Sequence, residues 1–473
     1  MNPLLQSDMQ RLPELLELVQ VQASNYLTDL DNASTTSLGT GALETLSLGS
    51  AGLGAEEALN QFNKKFKPVM VASSGPRYLG YVTGGTTPAA IVGDWLTTTF
   101  DQNSFATQGN GDVSAVIELE TIRLLLQLFD LPPSFLGGFV SGATMSNFTC
   151  LAVARQWAGK QIKLDIAREG VRGPINLLAA TPHSSSIKSL SMLGLGSNNC
   201  RSIKTLGGTR EAIDVDDLEN ALKECGHEPC ILISSGGTVN TVDFDDMQAI
   251  AQLKKKYKFW WHIDAAFGAF AACSPQCKHL LQGWEEADSI TVDCHKWLNV
   301  PYDSAVFFIS EKHKTLQVET FQNSNAPYLG DPTANFTYLN FLPENSRRLR
   351  ALPAWFTLMA YGKTGYREIV ENNISHAISL GQWIEANDSL ELLAPVRLNT
   401  VCFTVSGYQD QPKTIQWFVD DLCKRGRVFM TPTSYRGSAG VRAAFVNWRT
   451  TEQDLKIICE ELKRSLQALP AAR

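Results

Sequence analysis

No apolar run reaches the roughly eighteen residues that a membrane-crossing helix needs, so no spanning segment is expected. The opening stretch, MNPLLQSDMQRLPELLELVQ, lacks both the basic start and the unbroken apolar core of a secretory leader. Basic clusters are missing as well. Lys and Arg number 41 against 48 Asp and Glu, and the net charge of −7 argues against nucleic acid or an anionic membrane as partner. The 10 cysteines are scattered rather than regularly spaced. Cys150, Cys402, Cys423 and Cys459 stand in apolar settings, the pattern of reduced thiols in a cytoplasmic protein. The group Cys225-x-His227-x-x-Cys230 is irregular and has no second ligand pair, so no metal is expected. What remains is the composition of an ordinary soluble globule, 44% hydrophobic and 19% charged. A length of 473 residues suits a large α/β domain with a smaller companion.

Against those absences one stretch is dense in chemistry. It opens as WWHIDAAFGAF (260–270) and closes as SITVDCHKW (289–297). Phe259–Ile263 runs into Asp264, and Ile290–Val292 runs into Asp293, His295 and Lys296. Short apolar runs that stop at polar residues read as buried parallel strands with functional side chains at their carboxyl ends. A lysine buried there pays to remain an ammonium, so its pKa should fall and its amine become a nucleophile toward a carbonyl cofactor. A buried Asp on a neighbouring strand suits a pyridinium nitrogen, the partner that pyridoxal phosphate requires as an electron sink. Taken alone, such a pair is more often a structural ion pair or a strand-end lysine in water. The flanking motifs decide between them.

HIDAAFGAF, followed about thirty residues later by DCHKWLNVPYD (293–303), resembles the group II pyridoxal-phosphate-dependent amino-acid decarboxylases. The similarity runs from roughly Ser73 to Leu462, with separate motifs in the family's order. It implies an α/β fold type I enzyme of the aspartate-aminotransferase-like kind, with a large mostly parallel sheet domain and a smaller α+β C-terminal domain. Domains are expected at 1–75 (helical arm and linker), 76–355 (cofactor-binding) and 356–473 (connecting helix and small domain). By the same resemblance Lys296 is the Schiff-base lysine, Asp264 the partner of the ring nitrogen, and Ala266 a small residue against the ring.

The remaining motifs follow in chain order. Residues 1–30 carry Leu4, Leu12, Leu15, Leu16, Val19 and Tyr26 at helical spacing. In the resembling family such an arm wraps a second subunit, which implies a homodimer. Asn32–Gly54, rich in Ser, Thr and Gly, reads as a loop. SSGPRYLGYVTGGTTPAAIVGDWL (73–96) is a turn leading into a helix, and the resemblance puts Tyr81 near the substrate. From Val113 helices and strands alternate. The strand Gly137–Val140, the small-residue turn Gly142, Ala143 and Thr144, and a helix to Trp157 make an anion site, because the first helical N–H groups point at the turn.

INLLAATPHSSS (175–186) is a strand followed by His183 at a helix mouth, where the family's histidine lies over the cofactor ring. The strand Cys230–Ser234 ends in a hydroxyl-rich loop, from which Thr238 or Asn240 is expected to reach the cofactor. One departure precedes the lysine. Several animal members carry Asn where this chain has Asp293, and a carboxylate facing phosphate is repulsive, so His295 is the better phosphate contact.

Phe321–Asn345 lacks periodicity and is long for a connection. The resemblance makes Tyr338 the proton donor of a mobile catalytic loop. A helix over Trp355–Ser389 leads to the strand Val401–Val405, the helix Pro412–Lys424, strands Val428–Thr431 and Val441–Val446, and the helix Thr451–Leu466. Arg442 is similar to a family arginine directed at the substrate carboxylate, which a planar guanidinium binds through both oxygens. The function implied is decarboxylation of an L-amino acid to its amine. Aldehyde-forming oxidative deamination, aminotransferase or lyase chemistry, and a non-catalytic cofactor-binding dimer are the alternatives.

Overall fold

The computed structural model describes residues 1–37, 47–105, 113–322 and 336–470. The loops expected over 32–54 and 321–345 therefore lie partly outside the described residues. Seven strands form the main sheet: β1 (Phe135–Val140), β2 (Asn176–Ala179), β3 (Cys200–Ser202), β4 (Cys230–Ser235), β5 (Trp260–Asp264), β6 (Ser289–Asp293) and β7 (Ala305–Ser310). Their order is β1-β7-β6-β5-β4-β2-β3. β3, β2, β4, β5 and β6 pair in parallel, and β7 runs antiparallel to both its neighbours. This is the expected mostly parallel sheet.

The strands are short apolar runs because both faces are covered. Successive residues alternate between two cores. Ile231, Ile233, Trp260 and Phe307 pack on one face, with Leu151 and Trp157 of the helix Ala143–Gln161. Leu232, Trp261, Ile263 and Phe308 pack on the other, with Leu125 of Ser114–Leu128 and Ala354 of Ala351–Glu385. The period-two alternation puts every second side chain on the opposite face. Burying these side chains is the main favourable term, at roughly 1.5–3 kcal/mol for each large apolar one.

A smaller four-stranded sheet comprises β8 (Leu390–Leu392), β9 (Thr400–Val405), β10 (Thr431–Tyr435) and β11 (Ser438–Ala444), in the order β10-β11-β9-β8. The expected strand at Val428–Thr431 begins later than predicted. Arg436 and Gly437 both have positive φ, 50° and 87°, and a tight turn there sets a hairpin register in which Tyr435 pairs with Ser438. The final helix, Glu452–Gln467, starts in a capping box between Thr451 and Asp454.

The chain divides into two compact units, one of residues 1–81, 404–443 and 449–473, the other of 82–403 and 444–448. The expected division at 355 falls inside the helix Ala351–Glu385, whose apolar face belongs to the large core. The N-terminal helices Pro3–Gln10 and Leu12–Thr28 fall in the same unit as the C-terminal hairpin.

Candidate active site

β5 and β6 are adjacent and parallel, with Asp264 opposite Thr291. Their carboxyl ends therefore deliver Asp264 and Asp293 to one edge of the sheet, and the turn after β6 carries His295 and Lys296. That turn is pinned by the backbone. The N–H groups of Cys294 and His295 both donate to the Ser304 carbonyl at 3.0 Å. Gly84 lies flat on it, for a Cβ there would sit 1.5 Å from the Lys296 carbonyl oxygen. Only glycine tolerates so close an approach.

Lys296 Nζ lies 3.0 Å from Asp293 Oδ2 and 5.6 Å from the centre of the Phe267 ring. The lone buried ammonium expected here is thus paired with a carboxylate. Asp293 Oδ1 accepts the Ala143 N–H at 2.9 Å and lies 3.3 Å from His295 Nε2. Burial alone would raise the Asp293 carboxyl, but the Lys296 charge and His295 outweigh it and hold it down at about 2. The carboxylate thereby takes one of the helix N–H groups that the sequence assigned to phosphate. His295 Nδ1 accepts the Ser304 N–H at 3.2 Å, and its ring stacks on Tyr302 with centroids 4.2 Å apart. A Cβ on Gly142 would lie 3.4 Å from His295 Cε1, so Gly142, Ala143 and His295 meet at the mouth of the Ala143–Gln161 helix. Thr144 follows in its first turn.

Asp264 is buried and receives three donors. Asn147 Nδ2 bonds its Oδ2 at 2.9 Å, the Ser186 hydroxyl bonds the same oxygen at 3.1 Å, and the Ala266 N–H bonds Oδ1 at 3.3 Å. His183 caps the helix Ser184–Met192, with Nδ1 2.7 Å from the Ser185 hydroxyl and its ring exposed. Ser185 in turn accepts from Asn147 Nδ2 at 3.1 Å. Asn147, Ser186 and His262 were not singled out from the sequence. The available signal was spacing, since Asn147 follows Ala143 by one helical turn and Ser186 follows His183 likewise, each a polar residue on a buried face.

Two expected residues lie elsewhere. Tyr338 is fully buried, its hydroxyl bonded to the Gly137 carbonyl at 3.2 Å and its ring 4.5 Å from the Arg347 guanidinium carbon. Burial pushes its phenol well above the ordinary value. In this structure the phenol is held in the core by a strand carbonyl rather than exposed on a loop. Thr238 is also spoken for: its hydroxyl donates to Glu211 at 2.6 Å and accepts the Asp243 N–H at 3.0 Å. These bonds brace the loop that follows β4. Tyr81 and Arg442 belong to the other unit, Tyr81 exposed and tilted on Phe429, Arg442 opposite Thr431 in the hairpin. Among the described residues no His, Cys, Asp and Glu cluster could hold a metal, and no helix is long and apolar enough to cross a membrane.

Comparison with known proteins adds to this geometry. The family described as the pyridoxal-dependent decarboxylase conserved domain matches residues 49–406. An aromatic-L-amino-acid decarboxylase of Bacillus atrophaeus is 28% identical over 432 residues, covering 89% of this chain and 87% of that protein. A phenylacetaldehyde synthase of Petunia hybrida is 25% identical over 415 residues, covering 82% and 80%. Among solved structures, Catharanthus roseus tryptophan decarboxylase in complex with L-tryptophan superposes with a TM-score of 0.87 at 20% identity, over 98% of this chain and 99% of that one.

Proposed function

This chain belongs to the pyridoxal-dependent decarboxylase family, and on that premise we propose that Lys296 carries the cofactor and Asp264 faces its ring nitrogen. The protein is a pyridoxal-phosphate-dependent carboxy-lyase that removes the carboxylate of an amino acid as CO2 and leaves the amine. The observation that carries the site reading is the β5–β6 register, which sets a buried carboxylate and a lysine at the same edge of one sheet.

The side chains present fit the cofactor. Asp264 offers a carboxylate fixed by three donors, which suits a protonated ring nitrogen. Lys296 is bonded to Asp293 at this edge. Gly142, Ala143, Thr144 and His295 surround a helix mouth suited to phosphate. When bound, pyridoxal phosphate supplies the sink for the electrons left as the carboxylate departs. Asp264 holds a proton at the ring nitrogen and so keeps that sink strong. With the cofactor bound, His183 would stack on its ring and the small Ala266 would leave room for it. Asp293 neutralises the Lys296 ammonium whenever the amine is free. Lys296→Ala should abolish the visible absorbance of the purified protein, and a band surviving in that variant sinks the assignment.

The named relatives support an aromatic L-amino acid as substrate. Scoring released CO2 across a panel of L-amino acids tests this, with turnover of acidic or diamino acids alone counting against it. Aldehyde formation with peroxide is a second reading. It gains from the burial of Tyr338, whose hydroxyl is already bonded to the Gly137 carbonyl, and a peroxide assay separates the two. A homodimer is supported by the N-terminal helices, which bury no residue and expose Leu5, Met9, Leu12 and Leu16. Light scattering in solution tests it. A cytoplasmic location is supported by ten free thiols.

A further inference from the structure

We propose that His262 is a positioning residue which, through the Asn147 carboxamide, holds both Asp264 and His183 in place around the cofactor ring. This rests on the reading that Asp264 faces the ring nitrogen.

His262 lies in the middle of β5, fully buried, and touches none of the reacting groups. Its Nε2 is 2.9 Å from Asn147 Oδ1, and its Nδ1 is 2.9 Å from the Ser289 hydroxyl. Ser289 also receives the Trp260 indole N–H at 3.0 Å. Asn147 Nδ2 then reaches Asp264 at 2.9 Å and Ser185 at 3.1 Å, and Ser185 lies 2.7 Å from His183 Nδ1.

The direction of every bond in this chain is determined by its ends. An indole N–H can only donate, and a carboxylate can only accept. Asn147 must therefore turn its NH2 toward Asp264 and its oxygen toward His262. His262 must then donate from Nε2, which leaves Nδ1 to accept from Ser289. The Ser185 hydroxyl, already accepting from Asn147, donates to His183 Nδ1, which the Ser185 N–H also approaches at 3.2 Å. One amide thus orients both groups that grip the ring, and one neutral imidazole orients that amide. Burial pushes the His262 imidazolium down to about 4, so the required neutral form is the one present at neutral pH. A directed chain of this kind is cooperative, each bond polarising the next.

With the imidazole gone, the Asn147 oxygen loses its donor inside the core. A flipped amide would aim that oxygen at the Asp264 carboxylate, where two acceptors repel. His262→Leu should weaken pyridoxal phosphate binding to the protein on the order of tenfold, the scale at which removing an orienting hydrogen-bond partner acts. It should also move the visible absorbance band. His262→Gln should restore both, since its amide N–H can donate to Asn147 and its oxygen accept from Ser289. In an Asp264→Asn background, His262→Leu should cost less than in the wild type, because one of the two groups it positions is already lost.

Equal losses in both backgrounds, or normal binding and spectrum in His262→Leu, overturn the proposal. Unchanged binding and spectrum in Asp264→Asn itself overturn the Asp264 reading, and the proposal with it. Nitrogen-15 spectra of histidine-labelled wild type supply a check independent of any variant's folding. A neutral Nε2–H ring at position 262 supports the chain, and an Nδ1–H or doubly protonated ring at neutral pH refutes it.

Discussion

Asp293 bridges two elements with one carboxylate: Oδ2 lies 3.0 Å from Lys296 Nζ, and Oδ1 accepts the Ala143 N–H at 2.9 Å. The acid that looked unsuited to a phosphate site is the group that fixes the lysine relative to the helix mouth. Its folded pKa, about 2, is below the ordinary carboxylate value of about 3.9. The stability it contributes is therefore present above the ordinary value and lost as pH falls through the folded one. Asp293→Asn is expected to cost about 2 kcal/mol near neutral pH. Denaturant melts of both proteins should show that gap narrowing only below about pH 4. A gap that stays constant down to pH 3 would rule out the ion-pair account.

Gly84 is the second lever on Lys296. An added Cβ meets the Lys296 carbonyl oxygen at 1.5 Å, a backbone atom that no rotamer change can move aside. Gly84→Ala should destabilise the protein by roughly 1–3 kcal/mol or more, as overpacking does. It should also reduce cofactor absorbance by displacing the lysine turn. Gly207→Ala, where an added Cβ meets nothing within 4 Å, is the neutral comparison.

Tyr338→Phe removes one buried hydrogen bond to Gly137. The expected cost is about 1 kcal/mol, read as a lowered melting temperature, with amine production retained within a few-fold. Loss of amine in favour of aldehyde and peroxide would return Tyr338 to the catalytic role that the resemblance implied.

Arg347 and Glu118 form an ion pair in which both side chains are fully buried. Arg347 also donates to the carbonyls of Ser104 and Phe139. Arg347→Met strands the Glu118 carboxylate and should cost roughly 3–5 kcal/mol. Adding Glu118→Leu should recover part of that loss, because the unpaired charge is gone. A double variant as unstable as the single one would show that the backbone bonds, not the stranded charge, carry the effect.

Much of the site was legible along the chain because its chemistry is local. The apolar runs ending at Asp264 and Asp293, the small-residue turn at 142–144, and His183 at a helix mouth each lie within one strand–turn–helix unit, where periodicity and breakers act over a few residues. The strands at 230–235, 260–264 and 289–293 were read within a residue or so for the same reason. The first strand of the hairpin, 431–435, was misplaced because its sequence TPTSY is polar and its position is set by a turn.

Long-range choices were not legible. Whether Tyr338 enters the site or the core depends on packing beside Gly137 and Arg347, far away in sequence. Whether the Thr238 hydroxyl faces a ligand depends on Glu211 being there to accept it. The amino-acid order by itself determined which residues could do the chemistry and on which strand ends they stand, since hydrophobic patterning acts between neighbours. Only the tertiary structure decided which of them are free to do it. A hydrogen-bonding group answers to whatever partner the fold brings within about 3 Å, and no local pattern records that partner.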